Sequence, residues 1–123
     1  MVDGAANMKL KFAFAGQQFT ATLAENSSAR DLASMLPLDL TIEDYATNEK
    51  IAYLPRKLTD NGSGPFLNEQ PGDLCYFAPW GNLVFFYAGY QYSKGLVRLG
   101  RLDTGIVPLI KRGMFPLRVD RLS

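Results

Sequence analysis

Leu74-Cys75-Tyr76-Phe77-Ala78-Pro79-Trp80-Gly81-Asn82-Leu83-Val84-Phe85-Phe86-Tyr87-Ala88 carries two short runs, 74–78 and 83–88, that are apolar at every position. Runs of five or six residues are too short for a buried helix, and Pro and Gly punctuate the space between them. They read as β-strands buried on both faces and joined by the turn Pro79-Trp80-Gly81-Asn82, with Gly81 and Asn82 supplying its unusual backbone angles.

Working outward, period-two alternation recurs on both sides. Upstream, 50–54 forms a strand stopped by Pro55, and Leu38, Leu40 and Ile42 alternate with Asp39, Thr41 and Glu43. Leu10, Phe12 and Phe14 share one face of a first strand. Gly16-Gln17-Gln18 turns the chain, and Phe19, Ala21 and Leu23 share a face of the second. Downstream, 96–102 is a strand with Gly100 as a bulge, Asp103-Thr104-Gly105 turns, and 106–112 suits a helical turn. Leu117, Val119 and Arg121 alternate with Arg118, Asp120 and Leu122 in a last strand. One clear helix follows Asn26. Ser28-Ala29-Arg30-Asp31 fits a capping box, Ala29, Leu32, Ala33 and Leu36 share a face, and Pro37 ends the helix after about two turns. So short a helix must lie on the sheet. The pattern predicts a mainly β fold, a closed eight-stranded barrel with one short helix and a second helical turn.

The 123 residues suffice for one domain, 8–123, preceded by seven residues that read as a native flexible lead or a cloning scar. Thr59 to Pro65 is a turn-rich loop rather than a linker. With 13 basic and 12 acidic residues and no basic run longer than Arg56-Lys57 or Lys111-Arg112, neither nucleic acid nor an anionic membrane is an expected partner. No histidine is present, which removes Ser-His-Asp and Cys-His catalysis and histidine-ligated metals. No Asp-rich cation loop stands in their place, so neither metal nor cofactor is expected. Cys75, the single cysteine, has no disulfide partner and reads as a small buried hydrophobe. The first residues lack the pattern of a signal peptide. A cytoplasmic location is expected, or an exported one if a native signal was replaced.

The segment Pro71 to Leu83, together with 50–58 (Lys-Ile-Ala-Tyr-Leu-Pro-Arg-Lys-Leu) and 95–105 (Gly-Leu-Val-Arg-Leu-Gly-Arg-Leu-Asp-Thr-Gly), resembles bacterial cyclophilin-like fold proteins. With the order hairpin, helix, strands, the likeness runs from Met8 to the end. It implies an eight-stranded barrel related to the cyclophilin prolyl isomerases. In those enzymes an arginine on an outer barrel face hydrogen-bonds the prolyl amide, and a preorganised cation there favours the twisted amide. Arg56 stands at a comparable place in the order of elements. The Phe-His-Arg run of cyclophilins is replaced by Leu54-Pro55-Arg56, and their Gln-Gly-Gly-Asp segment is absent.

Candidate site residues are few. Arg56 fits a solvated cation or a surface ion pair, or an anchor for a carboxylate, phosphate or amide oxygen. Trp80, the only tryptophan, sits in a turn, where it caps the barrel or contacts a ligand. Tyr53, Tyr90 and Tyr92 stand near these in the sequence, the last two outside the buried strands. Glu43, Asp44 and Asp73 are scattered acids, not an acid–base pair. Asn26-Ser27-Ser28 and Asn61-Gly62-Ser63 match the glycosylation triplet and read as turn chemistry. The expected function is a non-catalytic binding module for a small ligand or extended peptide, with Arg56, Trp80, Tyr53, Tyr90 and Tyr92 as its site. The alternatives are a divergent prolyl isomerase with Arg56 as catalytic group, and a structural, oligomer-forming protein whose oligomeric state the residues leave open.

Overall fold

A computed structural model describes residues 8–60 and 64–122. The seven leading residues and the triplet at 61–63, on which two of the expectations above fall, lie outside the described residues. Eight strands form: β1 (Lys9–Phe14), β2 (Gln17–Leu23), β3 (Leu38–Tyr45), β4 (Glu49–Tyr53), β5 (Asp73–Phe77), β6 (Asn82–Phe86), β7 (Leu96–Leu102) and β8 (Phe115–Arg121). They close into an antiparallel barrel in the order β1-β2-β7-β5-β6-β4-β3-β8, with β8 returning to β1. The expected mainly β barrel is therefore the fold of the protein.

Alternation sorts the side chains. Leu10, Phe12 and Phe14 of β1, Phe19, Ala21 and Leu23 of β2, and Leu117 and Val119 of β8 point inward and are buried. Phe12 stacks on Phe19 with centroids 5.1 Å apart and meets Phe85 edge-on at 5.4 Å, geometries that suit the ring quadrupole. The helix α1 (Ser27–Ser34) leaves the end of β2 and inserts Ala29, Leu32 and Ala33 into this core. A 3-10 turn at Val107–Ile110, within the expected helical segment, inserts Leu109.

Three local readings are corrected. The β1–β2 connection is the two-residue turn Ala15-Gly16, both at positive φ (51° and 77°), and Gln17 already pairs with Phe14. The helix cap is Asn26, whose side chain accepts from Ala29 N at 2.8 Å. Ser28 is buried and donates instead to the Thr59 carbonyl, while Asp31 faces Arg56. Asn82 belongs to β6, and it is Gly81, at φ 74°, that turns the chain. Gly100 does mark a bulge. The β5–β7 register steps from Leu74↔Gly100 to Cys75↔Arg98, and a Cβ on Gly100 would lie 2.3 Å from the Thr22 carbonyl oxygen.

The strands β5 and β6 are apolar on both faces because a second core lies outside the barrel wall. Ile51, Cys75, Val84, Phe86 and Leu96 form it, with Phe66, Phe77, Tyr90 and Tyr92 packed over them. This outer layer positions the site.

Candidate functional site

The cover of the outer layer is pinned by Asp73, a fully buried carboxylate at the start of β5. Arg101 donates to it from Nε at 2.7 Å, Tyr90 from its hydroxyl at 2.6 Å and Gln70 from its backbone N–H at 3.2 Å, with Arg98 at 3.5 Å. A buried carboxylate needs this many donors to offset lost hydration. Tyr90 also stacks on Phe86 (3.6 Å, planes 2° apart). Burial first, then its bond to Asp73, pushes the phenol's pKa well above the ordinary value, so Tyr90 stays neutral. Cys75 lies 3.7 Å from the Tyr90 hydroxyl, and burial pushes its thiol up to about 12. The cysteine is buried as expected and carries no thiolate at neutral pH.

Beside this cover the outer face of β4 and β6 opens into a cavity of about 340 Å³. Its floor is Val84, Phe86 and Leu96. Trp80 forms one wall, 46% exposed, in T-shaped contact with Tyr45 (5.3 Å) and Phe77 (5.4 Å). The turn presents the indole because the N–H groups of Trp80 and Gly81 both donate to the Phe77 carbonyl, at 3.2 and 2.9 Å. Tyr45 ends β3 and pairs directly with Glu49, which on its other side pairs with Phe86. The Glu49 carboxylate thus stands between two aromatic residues on the cavity rim.

The lining carries donors as well as acceptors, with Tyr45, Asn48, Trp80, Gln91 and Ser93 beside Glu49 and Asn82, and two of its acceptors have no partner among the described residues. Glu49 makes no ion pair or side-chain hydrogen bond among the described residues, and burial raises its pKa. Asn82, 1% exposed, uses its Nδ2 on the Leu83 carbonyl at 3.0 Å, and its Oδ1 has no partner among the described residues. No lysine or arginine lines the cavity. No group of three or more metal-ligating side chains occurs among the described residues, and none of their helices is long and apolar enough to cross a membrane.

The expected site residues separate. Trp80 and Tyr90 line the cavity together; Arg56, Tyr53 and Tyr92 do not. Arg56 forms a bidentate pair with Asp31 of α1, at 2.8 and 3.1 Å. That pair, with the Thr59 N–H at 2.9 Å, holds the Asp31 carboxyl at about 2. Tyr53 is half exposed on the outer face of β4. Tyr92 packs edge-on against Phe66 at 5.2 Å, its N–H donating to Glu69 at 2.9 Å. Tyr45, Glu49 and Asn82 escaped the sequence reading. Their only signal was position beside a turn, and their meeting depends on the β3–β4–β6 register.

An eight-stranded antiparallel barrel whose outer face is padded by loops and hollowed beside an exposed turn defines a class, and comparison with known proteins gives it a family. The model of the cyclophilin-like family matches residues 12–120, and the chain belongs to that family. Among solved structures, the solution structure of the hypothetical protein AF2241 from Archaeoglobus fulgidus is similar in fold, with a TM-score of 0.76 and 17% identity. The likeness covers 99% of this chain and 100% of that one. No curated protein matches the chain.

Proposed function

We propose that the barrel is a non-catalytic binding module whose site is the outer-face cavity between Trp80, Tyr45 and Tyr90, sized for a small ligand or for one side chain of an extended peptide. The observation that carries this reading is the half-buried Glu49 carboxylate, left without a partner against an aromatic wall. Unpaired buried acceptors are costly, and a ligand that supplies the missing donor removes that cost. A concave, mainly apolar pocket with a few convergent polar groups is the usual form of a small-molecule site.

The isomerase reading has less support. Its catalytic group, Arg56, has its guanidinium turned onto Asp31 and does not line the cavity. Nuclear magnetic resonance titration of labelled protein with a fragment set and with X-Pro peptides tests the proposal. Binding shifts should centre on Glu49, Trp80 and Tyr90. Shifts centred on Arg56, or a protease-coupled isomerisation rate that disappears in Arg56→Ala, would replace the binding module with an enzyme.

A further inference from the structure

The cavity's charge and hydrogen-bond inventory names the class of ligand, an inference that rests on the binding reading above. Glu49 is the only carboxylate among the lining residues, and no lysine or arginine lines the site to neutralise it. The two nearest other carboxylates are already paired. Asp44 is paired with Lys50 at 2.8 Å and faces Arg112 at 3.6 Å, and Asp73 is paired with Arg101 and Arg98. Among the lining residues the Glu49 carboxylate is thus the one formal charge, with no basic side chain beside it.

Ring faces carry negative potential and attract cations, most strongly the face of tryptophan. Trp80, Tyr45 and Phe86 all bound the space that the Glu49 carboxylate borders. The other unpartnered acceptor, Asn82 Oδ1, is buried behind the lining and adds no positive charge to it. An anionic ligand would meet repulsion from the Glu49 carboxylate and from the ring faces. A hard metal ion needs several converging oxygens, and the site converges aromatic rings instead. An ammonium bearing alkyl groups suits both halves, its charge matching Glu49 and its weakly hydrated carbon shell matching the rings. We propose that the cavity selects a substituted ammonium group, held by Glu49 and enclosed by Trp80 and Tyr45.

Trp80, the only tryptophan, lies in the wall and reports occupancy through its own fluorescence. Choline and its neutral carbon isostere 3,3-dimethylbutan-1-ol are the matched probes, with benzyltrimethylammonium as a larger cation and benzoate as an anion. The cations should saturate the signal at concentrations at least about tenfold below the neutral isostere, and Glu49→Gln should remove about that factor for cations alone. A lysine-trimethylated peptide run beside choline distinguishes a protein side chain from a free small molecule as the source; tighter binding of either supports the ammonium chemistry. Equal affinity for choline and its isostere, or cation affinity unchanged in a folded Glu49→Gln protein, overturns the inference. If fragments without charge still shift Glu49 and Trp80 resonances, the binding module survives and only its cation preference fails. If no probe and no fragment binds, both fail.

Discussion

At Gly100, β7 crosses β2 so closely that one methyl group decides the packing. The Thr22 carbonyl leaves no space for a Cβ, so Gly100→Ala should lower stability by about 2–3 kcal/mol, seen as a lower urea midpoint at unchanged slope. The Arg56–Asp31 pair makes a prediction in pH. Because the folded Asp31 carboxyl sits at about 2 against an ordinary 3.8, its contribution is complete above the ordinary value and is lost as pH falls through the folded one. Arg56→Gln should therefore be less stable than the parent near neutrality. The difference should shrink as pH drops below about 4 and be gone below about 2. A difference that stayed constant across that window would show Arg56 acting through packing alone.

Among the elements, α1 shows what local chemistry conveys and what it leaves out. Asn26, Ser27 and Ser28 are all residues that favour a helix start, and the side chains alone do not say which one keeps an extended backbone. The choice was made from far along the chain, because the Thr59 carbonyl takes the Ser28 hydroxyl and Arg56 takes Asp31. Asn26→Ala should cost about 1 kcal/mol by loss of the cap, measured by denaturant unfolding. The strands were easier to read. Leu10-Phe12-Phe14 and Phe19-Ala21-Leu23 declare their inner face by alternation, and β5 and β6 declare burial on both. Their neighbours were not legible. Nothing in the residues says that β7 inserts between β2 and β5, and the short Ala15-Gly16 turn showed only after the register was known. Trp80 stood out as a lone tryptophan in a turn. Glu49 did not, because its significance is the absence of a partner, a property of three-dimensional surroundings.

For the molecule as a whole, the inner and outer cores divide the work. The inner one closes the barrel, and its end holds an ion pair that local patterning does not reveal. Lys50 is fully buried, donates to Asp44 at 2.8 Å and lies 5.8 Å from the Phe14 ring centroid. Against the burial that would raise it, the bonds from Lys50 and Gly113 hold the Asp44 carboxyl below its ordinary value. Removing one partner strands a buried charge, so Asp44→Asn should destabilise the barrel by about 3 kcal/mol. The double change Asp44→Leu with Lys50→Met should recover most of that loss, and a thermal melt of the three proteins decides it.

The seam of the barrel has a further consequence. β1 and β8 are hydrogen-bonded neighbours, and Leu122 N donates to Lys9 O at 2.9 Å. The first strand and the last are thus as close as any hairpin pair, although the whole domain separates them along the backbone. Covalent order and spatial order are independent at this point, so circular permutation here is expected to leave the fold intact. A protein in which a short Gly-Ser bridge joins 122 to 8, with new ends opened between Ala15 and Gly16, should keep every strand pairing and unfold in one cooperative transition. Its outer cavity, built entirely from β3 to β7 and their loops, should be carried through unchanged.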